Sequence, residues 1–333
     1  MPKLFKASFA ILFILLASAW ALPASAAYIG TVDGGWERQE SPLSEWHYLW
    51  CVRFVHRDIG WIVGDDGAIL KTTNGGNTWT AQPSGTKAGL KSVYFIDSRT
   101  GWAVGDGGTI LKTTNGGKIW TGQKSGTRRR SYLFSVFFIN ARTGWAVGSD
   151  GTIVKTNNGG KTWRIKKSGT TEDLDYIQFV SSKTGWAVGD FGAIIKTTDG
   201  GDTWVAQDPR TMEHLYSACF TDSNTGWVVG VNGTILKTAD GGTTWVPQKS
   251  PTDHTLISIH FLDSKIGWAA GCNNIILRTT DGGETWTVLN KMTIYNLNSI
   301  YFVDPETGWA VGELGTILKS PNAEKLRRPE PGS

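Results

Sequence analysis

Gly101-Trp102-Ala103-Val104-Gly105, followed by Gly108-Thr109-Ile110-Leu111-Lys112-Thr113-Thr114-Asn115-Gly116-Gly117 and closing on Trp120, is a phrase the chain writes seven times. Its Gly-Trp pairs place tryptophan at 61, 102, 145, 186, 227, 268 and 309, at intervals of 41, 43, 41, 41, 41 and 41. A repeat of that length holding about four short strands is the signature of a β-propeller blade. Alternation of apolar and polar residues predicts strands over 90–95, 101–104, 109–113 and 120–123, with a tight turn at 105–108. A helical reading fails, because no window keeps a 3.6-residue apolar period and glycine recurs too often.

Between the third and fourth strands runs Thr-x-Asn/Asp-Gly-Gly-x-Thr-Trp, complete at 72–79, 197–204, 238–245 and 279–286. Residues 113–120 carry Ile119 in place of the second Thr, and 156–163 are also recognisable. This is the Asp-box (BNR) hairpin. Its Asn or Asp is expected to bond amides of its own turn, its glycines to take positive φ, and its Trp to plug the gap between strands. The structural residues are therefore Asn74 and Trp79, Asn115 and Trp120, Asn158 and Trp163, Asp199 and Trp204, Asp240 and Trp245, and Asp281 and Trp286. Such boxes usually lie on the face of a propeller away from the ligand, so they carry no chemistry of their own.

Residues 1–26 read as a secretory signal: Lys3 and Lys6 precede an apolar run from Phe9 to Leu22, and Ala24-Ser25-Ala26 is a small-x-small cleavage site. An uncleaved anchor is the alternative, but the run is shorter than the roughly 20 residues that span a bilayer. Without Lys3 and Lys6 the balance is 31 basic to 29 acidic residues, too even to imply nucleic acid. Cys51, Cys219 and Cys272 are odd in number and irregularly placed, which predicts buried thiols. No Cys-x-x-Cys or His-x-x-x-His spacing offers a zinc site, and no cofactor is expected.

Residues 33–320 divide into seven units of about 41 residues, so 27–320 form one ring, with 321–333 a charged, disordered tail. The last unit stops at Leu318-Lys319-Ser320 without a closing Trp, whereas Asp33-Gly34-Gly35-Trp36 resembles the end of the box motif. The N-terminal segment should thus supply the fourth strand of blade seven. This topology puts the strand four-to-one connections and the strand two–three turns on one face, the top. The Asp boxes and the strand one–two links fall on the bottom. Two top connections are lengthened. One holds Trp46-His47-Tyr48-Leu49-Trp50 and the other Arg128-Arg129-Arg130. Insertions on one face of a repeat array often mark the binding face. Clustered guanidinium groups suit an acidic protein partner, so Arg128, Arg129, Arg130, Trp46 and Trp50 are the partner-binding candidates. Trp46 and Trp50 have a second reading, as closure of the ring seam. The acidic turn residues Asp65, Asp66, Asp106, Asp150, Asp190 and Glu313 read as ordinary hairpin residues.

The pattern Leu-x-Ser-Val-x-Phe…Gly-Trp-Ala-Val-Gly…Gly-x-Ile-Leu-Lys-Thr-x-Asp/Asn-Gly-Gly-x-Thr-Trp resembles the photosystem II stability/assembly factor family along nearly the whole chain after the leader. That resemblance implies an exported, non-enzymatic seven-bladed propeller in the periplasm, extracellular space or thylakoid lumen. It implies a monomer that meets the D1 reaction-centre protein through an arginine-rich surface, and the membrane only through that partner. The lipid-attachment cysteine of some bacterial members is missing. Two other readings remain open at the level of sequence: an exported scaffold or carbohydrate-binding propeller, and a sialidase-like glycosidase. Against the enzyme stand the absent Arg-Ile-Pro motif and the near-constant spacing, which leaves little room for catalytic insertions. Tyr94 and Tyr301 share a first-strand position with Arg53, Phe137, Gln178, Cys219 and His260, a variable lining and not a catalytic constellation.

Overall fold

The computed structural model describes residues 31–32, 35–43, 47–127, 131–290 and 295–320. The leader (1–26), the tail (321–333), Trp46 and Arg128–Arg130 lie outside the described residues. Seven antiparallel sheets form the ring. Blade two shows the plan: Leu90–Phe95, Gly101–Gly105, Thr109–Thr113 and Thr121–Gln123 pair in sequence order. The turn after the second strand tightens into one 3-10 turn, Asp106–Gly108.

Blade seven closes as the repeat pattern requires. Trp36–Arg38 pairs with Ile317–Lys319, in the register Glu37 to Lys319 and Arg38 to Leu318. Thr31–Val32 then adds a fifth strand outside it, beyond what the repeat predicts.

No blade has a core of its own. Each of the seven apolar clusters joins neighbouring blades. One sets Trp61, Val63 and Ile69 of blade one against Leu90, Val93 and Phe95 of blade two. The repeated Phe ending each first strand is the centre of every cluster. Phe179 stacks on Trp145 of the preceding blade (3.6 Å, 12°) and meets Trp204 of its own box edge-on (5.9 Å, 83°). At the closure Phe302 stacks on Trp268 and takes Trp36 edge-on, so Trp36 fills the place of a box tryptophan. The glycine before each repeated Trp is required by this packing, because a Cβ on Gly185 would sit 2.6 Å from the Phe179 ring.

Polar residues repeat the same inter-blade logic. The Ser of Leu-x-Ser accepts a buried amide of the next inner strand: Val136 N–H to Ser92 (3.3 Å), Ile177 N–H to Ser135 (3.3 Å) and, across the seam, Val52 N–H to Ser299 (3.2 Å). The Lys of the third strand lies over the repeated Trp and donates into the next blade's box, as Lys112 does at 5.2 Å from Trp102 and 2.8 Å from the Gly159 carbonyl.

Candidate functional site

Hydrogen bonds sort the loops onto the two expected faces. Asp65 N–H donates to the Tyr48 carbonyl and Asp106 N–H to that of Gly89, joining turn and connection at the top. Gly75 N–H donates to the Asp58 carbonyl and Gly116 N–H to that of Arg99, joining box and strand one–two link at the bottom.

In the boxes the acidic side chain folds onto its own turn. Asp199 accepts the amides of Asp202 (3.0 Å) and Thr203 (2.9 Å) and the Thr203 hydroxyl (2.6 Å). In blade two Ile119 keeps its amide bond to Asn115 (2.9 Å) but has no hydroxyl to offer. The paired glycines take left-handed φ, 80° at Gly200 and 82° at Gly201. Hydrogen bonds from the Thr203 side chain and amide hold the Asp199 carboxyl well below the usual range. Those from Thr244 and Thr285 bring Asp240 and Asp281 down to about 2. Because the folded pKa values are depressed, this stabilisation is present above about pH 4 and is lost as pH falls toward about 2. Replacing Asp199, Asp240 and Asp281 with Asn, as in the first three boxes, should flatten the loss of melting temperature over that window. Parallel acid melts of wild type and triple variant with the same slope would contradict this.

At the top, Trp50 is the second residue of the inner strand Leu49–His56 and not part of the connection. Leu49-Trp50-Cys51-Val52-Arg53-Phe54 is the Leu-x-Ser-Val-x-Phe pattern with Cys51 in the Ser place. The Trp50 indole donates to Asp65 (2.6 Å), and the Lys91 ammonium lies 4.0 Å over its ring and 3.2 Å from the same carboxylate oxygen. Trp50 therefore links blades one and two, away from the seam. Two other top carboxylates are engaged in the same way, Asp190 with His214 (2.5 Å) and Glu313 with the Asn296 amide (2.8 Å).

Sequence reasoning missed the apolar residues on this face. Phe191 is 52% exposed, Met212 73% and Tyr132 47%. Phe191 also holds left-handed backbone (φ 52°) at a turn position where blade two has Gly107 (φ 65°). A bulky residue in that region is strained. Its ring packs against His214 at 4.7 Å.

A cavity of about 640 Å³ runs down the centre of the ring. The variable first-strand position lines it, bringing together Arg53, Tyr94, Phe137, Gln178, Cys219, His260 and Tyr301. Burial and the charge of Arg53 pull the His260 pKa down to about 4, so the imidazole is neutral near pH 7. Of the thiols, Cys219 is buried as expected, whereas Cys51 and Cys272 are only half-buried. Cys51 and Cys219 both face this cavity, and burial raises both thiol pKa values.

Fold and site together define an Asp-box propeller closed by its N-terminal strand, with a loop-bearing top face and a lined central channel. The family model described as "Photosynthesis system II assembly factor YCF48" matches residues 29–128, 79–167, 127–208 and 205–294. The chain belongs to that family. Among solved structures, "YCF48 bound to D1 peptide" is similar at 23% identity and TM-score 0.73, covering 86% of this chain and 97% of that one. YCF48 from Cyanidioschyzon merolae is similar at 22% identity and TM-score 0.72, covering 86% and 98%. The GH74 enzyme of Niastella koreensis is similar at 16% identity and TM-score 0.69, covering 84% of this chain and 53% of that one. Likeness at these identities establishes the shared fold. No curated protein matches the chain.

Proposed function

We propose that this protein is an exported, non-enzymatic assembly factor that docks a photosystem II reaction-centre intermediate on its top face. The observation that carries the reading is the family match, which extends over four overlapping stretches from residue 29 to 294. A similar solved structure is described as bound to a D1 peptide. Asp65, Asp190 and Glu313 on this face are tied to neighbouring side chains. Phe191, Met212 and Tyr132 offer apolar contacts on the same face. Arg128–Arg130 follow the outer strand Thr121–Gln123 and precede Tyr132, on the connection that leads into blade three. Guanidinium groups there would capture carboxylates of the partner and steer its approach.

Two variants test this against a D1 peptide. Replacing Arg128, Arg129 and Arg130 with Ala should leave the melting temperature unchanged, weaken binding and reduce its salt dependence, since exposed charges act through a field screened within about 8 Å at physiological ionic strength. Phe191→Gly should relieve the left-handed strain, leaving the melting temperature unchanged or higher, yet weaken the same binding. Unaltered affinity and salt sensitivity in both variants would remove the top face as the docking site.

A further inference from the structure

The central channel holds a cation with no anion beside it. Arg53 extends from the inner strand of blade one with its guanidinium 4.5 Å from the Tyr94 ring and 4.9 Å from that of Tyr301. Its Nε is buried and makes no hydrogen bond, and among the described residues no carboxylate lies within ion-pair distance. Three other polar side chains at this level are already committed to neighbouring strands. Gln178 exchanges hydrogen bonds with the backbone of Phe220 (2.9 Å each way), His260 bonds the Phe302 carbonyl (2.9 Å) and Cys219 that of Phe261 (3.9 Å). Burying part of a guanidinium without an acid partner is costly, and a charge held this way at the wall of a polar cavity suits an anionic ligand.

We propose that the channel is a binding site for a small planar monocarboxylate, held bidentately by Arg53 with its body in the channel against the aromatic lining. The space, about 640 Å³, lies within the range of small-molecule sites. The planar fork of Arg matches a carboxylate, and aromatic walls match a flat apolar body. The charge count selects a monoanion. Arg53 is the one Lys or Arg among the lining residues, and the lining also includes the exposed carboxylates Asp222 and Asp263, from the strand one–two links of blades five and six. Those links lie on the bottom face, so a ligand enters from the side opposite the proposed protein-docking surface. A second negative charge on the ligand would meet these carboxylates without a second cation to offset them.

The probe is benzoate, titrated calorimetrically into the intact protein beside its neutral isostere benzamide and beside inorganic phosphate. Benzoate should bind one to one and raise the melting temperature, with benzamide and phosphate at least about tenfold weaker, the equivalent of roughly 1.4 kcal/mol. Arg53→Gln should abolish benzoate binding, and Arg53→Lys, which keeps the charge but loses the fork, should bind more weakly than wild type. Benzoate and benzamide binding alike, or benzoate producing no saturable heat, overturns the proposal on the wild-type protein alone, whether or not the variants fold. Equal benzoate affinity in Arg53→Gln overturns it as well. Tighter binding of phosphate than of benzoate would assign the cation to a different anion and equally defeat the carboxylate site. D1-peptide binding measured in the same samples separates this outcome from that of the top-face reading.

Discussion

Deleting residues 27–39, which removes the strands Thr31–Val32 and Trp36–Arg38, should lower the unfolding midpoint sharply and drive association through blade seven. The truncation takes away both ladder pairs to Ile317–Lys319 and the Gln39 amide bond to the Ile317 carbonyl (2.8 Å). It also removes Trp36, 1% exposed and packed edge-on against Phe302 at 5.9 Å. Loss of a buried aromatic typically costs about 3–5 kcal/mol. In a domain of this size that is a shift on the order of 10 °C. Trp36→Ala alone isolates the packing share, while the truncation adds an open strand edge that invites pairing with another molecule. Light scattering on the two proteins distinguishes them: the truncation should associate, and the point variant much less. A truncated protein that melts with the wild type and stays monodisperse would show that the ring does not depend on this closure.

The second large effect belongs to the Trp–Phe–Trp sandwich. Phe179→Ala removes the ring between Trp145 and Trp204 and should cost about 3–5 kcal/mol. Gly185→Ala forces a methyl into that ring and should cost about 1–3 kcal/mol by overpacking. In the double variant the methyl enters space the Phe has left, so its cost should largely vanish. The two changes should therefore be non-additive, with a coupling of at least about 1 kcal/mol by denaturant unfolding. Strict additivity would mean that Gly185 is not there to admit Phe179.

The same two features show how far the sequence could be read. The repeat interval fixes blade number because each unit must supply the same four strands, and the missing final Trp with its early copy at Trp36 reveals the closure. The partition into faces follows from counting antiparallel strands, and the first-strand position of Tyr94 and Tyr301 is identifiable as channel lining by alternation alone. Four things resist that reading. Trp50 looks like an insertion because Cys51 and Arg53 obscure the first-strand pattern around it. The fifth strand, Thr31–Val32, has no counterpart in any other blade to predict it. The strain at Phe191 depends on a φ angle, and the isolation of Arg53 depends on which side chains from distant blades fail to reach it. Neither is a property of local pattern.

The closure strand also imposes an order of events. Glu37 pairs with Lys319, 282 positions later, and bringing the ends of a loop that long together costs on the order of 5 kcal/mol in chain entropy. A chain delivered N-terminus first presents Trp36 long before its partner strand exists. Because each core lies between blades, the early blades can stack as they emerge, but the first and last remain with one open side until the final strand arrives. Completion is thus a late, non-local step, slow by the nature of its contact distance and exposed to aggregation while it is pending. A protein built this way cannot finish folding until its last strand has been delivered.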